Sequence, residues 1–80
     1  MITVGVRLFA TLRRQFPELG IGEALRVDLA EGATVDQLVR NMKLPREHVK
    51  VVFVNGTIQE GDYRLADGDE VGIFPPVGGG

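Results

Sequence analysis

Ile2, Val4, Val6 and Leu8 alternate with Thr3, Gly5, Arg7 and Phe9, the two-residue period of a strand with one face on a core. In ATLRRQF, Leu12 and Phe16 fall four apart while Arg13 and Arg14 point elsewhere. That spacing predicts a short helix over 10–16, stopped by Pro17. PELGIGE then reads as a loop. Leu25, Val27 and Leu29 alternate with Arg26 and Asp28, which predicts a second strand ending at the turn-forming Glu31-Gly32. It makes a hairpin-like return to the first strand, interrupted by the short helix.

Thr34 followed at the third position by Gln37 has the form of a capping box, in which each side chain satisfies an orphan backbone N–H at a helix start. Val35, Leu38, Val39 and Met42 continue at the i, i+3, i+4, i+7 spacing of one apolar stripe, with Asp36, Arg40, Asn41 and Lys43 on the remaining surface. Leu44-Pro45 ends that helix. VKVVFV is a continuous apolar run, expected as a strand central in the sheet or buried on both faces. Asn55-Gly56 after it is the strongest short hairpin signal in the chain, returning through a short strand near Thr57-Ile58. Asp67-Gly68-Asp69 makes another turn, and Val71, Gly72, Ile73 and Phe74 form the last strand. Strand, strand, helix, strand, short strand, strand is most compactly buried as a mixed sheet covered on one face by one main helix. This is the α+β, β-grasp or ubiquitin-like, architecture, expected over residues 1–74 with a projecting tail at 75–80.

Composition removes most chemistry from the body. At 80 residues the chain supports one thin core rather than an enclosed substrate cavity. A net charge of -2 with mixed signs gives no basic stripe and no case for nucleic acid. There is no cysteine, which excludes disulfides, a thiolate nucleophile and cysteine-rich zinc sites. The opening MITVGVRLFA contains Arg7 and alternates, unlike a signal peptide or membrane span, so a cytoplasmic, soluble protein without membrane association is expected. Asn55-Gly56-Thr57 matches a glycosylation acceptor and, without a secretory signal, is a chance match. The chain has no serine and one histidine. His48 sits in the polar PREHVK segment and reads as a solvated residue. Asp67, Asp69 and Glu70 lack calcium-loop spacing and read as turn chemistry; Asp62 and Tyr63 read as loop anchors, the tyrosine ring partly packed. No bound cofactor and no metal site are expected.

One segment stays unexplained by folding: Phe74-Pro75-Pro76-Val77-Gly78-Gly79-Gly80. Two prolines end a strand and direct the chain off the body, and glycines without Cβ pass through a channel barely wider than a backbone. The functional group left is the Gly80 α-carboxyl, ionised at neutral pH and inert until another enzyme activates it, for example as an acyl-adenylate made from ATP. On composition alone, an inert frayed tail is the competing reading.

The segment VNGTIQEGDYRLADGDEVGIFPPVGGG, from Val54 to Gly80, resembles the C-terminal half of the molybdopterin synthase small subunits (MoaD-like proteins), whose members end in a DGDEV…FPPV.GG pattern. ITVGVRLFATLR and EGATVDQLV resemble other segments of that family, so the similarity spans nearly the whole chain. The resemblance implies a sulfur carrier that is no enzyme alone. An E1-like (MoeB-like) enzyme uses ATP to adenylate Gly80, a sulfur donor converts it to a thiocarboxylate, and the tail enters the large synthase subunit (MoaE-like) to pass sulfur to a pterin precursor. By the same resemblance Gly79 is the penultimate glycine needed for threading, Gly78 falls where the family varies, and Phe9 and Phe74 help form the partner-facing patch ahead of Pro75, Pro76 and Val77. The thiamine-pathway (ThiS-like) carriers share the fold and the di-glycine end but are shorter and usually lack the PPV step. Tungsten-cofactor carriers and archaeal ubiquitin-like modifiers carry the same ending, and a β-grasp interaction domain with an inert tail is the reading from another class.

Overall fold

The computed structural model describes residues 1–17 and 23–76. Five strands form one mixed sheet in the order β2-β1-β5-β3-β4: β1 Ile2–Leu8, β2 Leu25–Leu29, β3 Val51–Val54, β4 Thr57–Ile58 and β5 Glu70–Phe74. The first and last strands lie side by side in parallel at the centre, and the other pairings are antiparallel. Among the described residues a single α-helix, α1 Val35–Asn41, packs on one face. This is the ubiquitin-like β-grasp expected from the order of the elements.

The core is the set of side chains that the two periodicities send to one side. Val4 and Val6 of β1, Val52 and Val54 of β3, and Val71 and Ile73 of β5 meet Val35, Leu38 and Val39 of α1, all buried. Met42 packs against them partly buried. The capping box forms in both directions: Thr34 N–H donates to Gln37 Oε1 at 2.8 Å and Gln37 N–H to Thr34 Oγ1 at 3.2 Å. The neighbouring orphan donors, Val35 and Asp36 N–H, reach the carbonyls of Tyr63 and Gly61 at 3.0 and 2.9 Å. A helix of two turns, marginal alone, is thereby tied to the 61–63 loop at its start.

Three expectations need correction. The helix stops at Asn41 rather than at Leu44-Pro45, because Lys43 turns left-handed (φ 59) and Leu44 and Lys43 N–H close on the carbonyls of Val39 and Arg40 at 3.2 and 3.0 Å. This is a Schellman closure with lysine where glycine usually stands, sealed by buried Leu44. The segment after Phe9 is a 3₁₀ helix, Ala10–Gln15, that buries Leu12. The run VKVVFV is not buried on both faces: β3 lies inside the sheet between β5 and β4, and buries Val52 and Val54 while Val51 and Phe53 stay half-buried on the open face. Apolar residues on both phases here mean a core face and a second apolar surface, not a doubly covered strand.

The Asn55-Gly56 turn forms with both residues left-handed (φ 51 and 85), the geometry of a two-residue hairpin. Asn55 also works across the sheet. Its Nδ2 donates to Asp69 Oδ1 at 2.9 Å and its Oδ1 accepts from Glu70 N–H at 2.9 Å. Asp69, only 8% exposed, accepts Ala66 N–H on its other oxygen at 2.8 Å, and its backbone carbonyl takes Gly5 N–H at 2.9 Å. Two turns and the start of β5 are thus clamped through one amide and one carboxylate. Asn55→Ala removes both side-chain bonds and the residue type that best tolerates the left-handed turn. A loss of about 2–3 kcal/mol in urea unfolding is expected, with Asn55→Gly recovering only the backbone part; an unchanged midpoint for Asn55→Ala would remove the clamp from the fold's energetics.

Candidate partner-docking site on the aromatic face

The face of the sheet opposite α1 is built by the outward phase of each strand. The parallel register sets Arg7 beside Gly72 and Leu8 beside Ile73, and on the other side of β5 Phe53 lies beside Gly72. Phe9 and Phe74, each one step further along, converge over that glycine. Their rings stack at 4.2 Å with an interplanar angle of 1°, and Phe53 meets Phe74 edge-on at 5.4 Å and 69°. Offset and edge-on contacts of this kind add about 0.5–1.5 kcal/mol beyond area burial.

Gly72 provides the room for this cluster. A Cβ there would stand 3.2 Å from Phe9 Cε2 and 3.7 Å from Phe74 Cε1. The three rings remain half-buried, around a shallow concavity of about 420 Å³. Its rim carries the Arg7 Nη1 to Glu70 Oε1 ion pair at 3.0 Å, and Ile58, 62% exposed, adjoins Phe53 across the β3–β4 pair. Aromatic anchors half out of water beside a charged rim have the make-up of a protein-docking surface.

The strand leading to the tail ends here as well. Lys50 N–H donates to the Phe74 carbonyl at 2.8 Å, the last ladder bond before two residues that have no N–H to give. Pro75 is buried against the body and Pro76 is exposed, so the chain comes clear of the body one residue later than two projecting prolines imply. Val77, Gly78, Gly79 and Gly80 lie outside the described residues, as does most of the PELGIGE loop.

Of the residues singled out from sequence, Phe9 and Phe74 are brought into direct contact and Pro75 and Pro76 follow at once. Phe53 and Gly72 belong to the same surface and were not singled out. Their signal was phase: both occupy the outward positions of strands whose alternate residues are core valines and isoleucine. His48 is exposed, at the end of the 3₁₀ turn Arg46–His48, and Tyr63 packs partly on the core. Among the described residues no cluster of histidine, aspartate or glutamate could hold a metal ion, and no helix is long and apolar enough to cross a membrane.

The ThiS family model matches residues 6–80, and the chain belongs to that family of ubiquitin-like sulfur carriers. Comparison with curated proteins finds no significant match. Among solved structures, the chain is similar to a protein from Pyrococcus furiosus described as molybdopterin converting factor subunit 1, at 31% identity and a TM-score of 0.75, covering 96% of this chain and 100% of that one. It is also similar to small archaeal modifier protein 1 of Haloferax volcanii, at 26% identity and a TM-score of 0.74 over 96% and 100%. The complex of molybdopterin-converting factor subunits 1 and 2 from Helicobacter pylori matches at 20% identity and a TM-score of 0.63, over 99% and 100%, a likeness of fold.

Gly72→Val places a branched side chain in the space that the Phe9 ring occupies. The expected result is loss of the Phe9–Phe74 stack, seen as collapse of the ring-current shifts of both residues, with the core methyl shifts of Val4 and Leu38 retained. Unchanged aromatic shifts would show that the glycine does not make the cluster.

Proposed function

We propose that the chain is a sulfur carrier for molybdopterin synthesis, with Gly80 as the residue that bears the sulfur. The observation that carries this reading is the family match running through Gly79 and Gly80, and the 31% identity with the Pyrococcus protein supports the pathway. In the proposed cycle an oxygen of the Gly80 carboxylate attacks the α-phosphate of ATP and pyrophosphate leaves. The resulting acyl-adenylate is attacked at its carbonyl carbon by the outer sulfur of a donor persulfide and AMP departs; a thiol of the donor or of the activating enzyme then attacks the inner sulfur of the acyl disulfide, forming a disulfide and leaving the thiocarboxylate on Gly80. All acid, base and metal chemistry belongs to the activating enzyme and the synthase. The carrier supplies a stable body, an aromatic surface that holds it on those partners, and a tail narrow enough to reach their active sites.

Phe9, Phe53 and Phe74 have the composition to anchor that docking, since aromatic residues carry a disproportionate share of interface energy. Pro75, Pro76 and Val77 then form the stiff step into the partner and Gly78, Gly79 and Gly80 the threaded segment. The partners are an E1-like adenylating enzyme, a sulfur donor and a large synthase subunit, in keeping with the two-subunit complex of the Helicobacter structure. The Haloferax likeness favours a second reading, a ubiquitin-like modifier in which an amine rather than sulfur displaces AMP from Gly80.

Intact mass after incubation with ATP, an E1-like partner and a sulfur donor tests the chemistry. Replacement of one oxygen by sulfur adds about 16 Da, and deletion of Gly80 abolishes the gain. A covalent adduct to a protein amine in place of that gain supports the modifier, and no change with any cognate activator supports an inert interaction domain. In the same assay Phe74→Ala, folded by far-UV circular dichroism, is expected to lower the rate of activation at sub-saturating carrier by about tenfold or more, while an unaltered rate would place docking elsewhere.

A further inference from the structure

The outer edge of β2 is self-complementary. The strand closes one side of the sheet, so one row of its backbone groups faces outward. Which row follows from β1. Thr3 N–H and C=O, Gly5 N–H and Phe9 N–H are all spent on the β5 side, at Asp67 Oδ1, Gly68 N–H, Asp69 O and Ile73 O. Backbone direction alternates along a strand, so Ile2, Val4 and Val6 face β2 and bond to their register partners Leu29, Val27 and Leu25. The outward N–H and C=O groups of β2 are therefore those of Arg26 and Asp28.

The sequence of that edge, Leu25-Arg26-Val27-Asp28-Leu29, is palindromic in chemistry. Turned antiparallel on itself about Val27, it sets Arg26 against the second copy's Asp28, Asp28 against its Arg26, and Leu25 against its Leu29. The facing Arg26 and Asp28 are then the hydrogen-bonded pairs, each exchanging two backbone bonds. Val27 meets its own counterpart in a non-hydrogen-bonded pair, with Cα atoms about 4.5 Å apart. Charges on an edge strand normally discourage edge-to-edge pairing. Here one of each sign, placed symmetrically about an apolar centre, turns that device into a match. Arg26 is exposed and forms no ion pair among the described residues. Asp28 engages one oxygen with Thr3 Oγ1 at 2.7 Å and keeps the other. Leu25 and Val27, on the core phase, are only half-buried and have apolar area left to cover.

We propose that β2 is a self-association surface: a second copy of this chain adds antiparallel across it, joining two five-stranded sheets into one. The aromatic cluster centres on β5 and β3, on the far side of β1 from this edge, so each copy keeps its docking face. Such an edge buries far less than the roughly 1,200 Å² of a stable interface, and the dimer is weak and concentration-dependent.

Sedimentation equilibrium and amide shifts of the full chain up to about 1 mM are expected to show average mass rising toward twice the monomer, with the Arg26 and Asp28 amides moving most. Arg26→Asp and Asp28→Arg each set like charges face to face and are expected to weaken association by about tenfold or more. Mixing the two variants sets the paired aspartates of one chain against the paired arginines of the other and restores association as a heterodimer. The doubly substituted chain, with both charges exchanged, restores it as a homodimer. Val27→Cys adds an independent readout in a chain without cysteine: a disulfide dimer forms, and adding Arg26→Asp suppresses it. A monomer at all concentrations, or variants whose mixture does not re-associate, overturns the proposal and leaves the edge to water or a foreign strand.

Discussion

Everything functional in this molecule depends on the register of β5 between β1 and β3. With Val71 and Ile73 directed into the core, Gly72 and Phe74 face outward. A slip of one residue would exchange these sets, burying a glycine and a phenylalanine under α1 and exposing two branched side chains. The same register fixes where the chain leaves the sheet and which aromatic rings stand beside that exit. The Asn55–Asp69 clamp holds this strand at its first residue and the Lys50 bond holds it at its last. A short strand pinned at both ends has little freedom to slide, and the tail beyond it inherits a fixed origin.

Much of this was legible in the sequence because local and long-range preferences agree. The alternation of Ile2 to Leu8, the Thr34–Gln37 box and the Asn55-Gly56 turn each has one geometrically sensible outcome, and each is found. Legibility fails where a tertiary contact overrides a local signal. Nothing in NMKLP announces a left-handed lysine; buried Leu44 stabilises that closure from outside the helix. VKVVFV reads as doubly buried because hydrophobicity alone does not distinguish a core face from a half-exposed aromatic face. Phe9 and Phe74 were expected on a partner-facing patch, yet their stacking needs Gly72, and the pairing of residues more than sixty positions apart is set by the parallel crossover, which no local window contains. The expectations for Val77 to Gly80 rest on composition and resemblance and lie outside the described residues.

Gly72 illustrates the cost of such a surface. A glycine inside a central strand weakens it by lost packing and greater unfolded-state freedom. At this position the absent side chain leaves the space beside which the Phe9 and Phe74 rings stack on each other. Rings held against one another have few rotamers left to freeze, which would lower the entropy lost if the proposed partner covers them. The neighbouring Arg7–Glu70 pair, half-exposed on both sides, contributes little to stability. Its charges bound the apolar patch on one side.

A body without serine or cysteine fits the division of labour proposed above. On that proposed reading, stability, docking and reactivity are separated into the core, the outward face of β5 and the segment beyond Pro76. The separation holds only because the strand that ends in the tail is also the centre of the sheet. Were the tail attached to β2 or β4, the edge strands, local fraying would move the origin of the tail and the partner would bear the entropy of ordering it. Placed after β5, with β1 and β3 paired on either side, the proposed tail starts from among the most constrained backbone of the described residues.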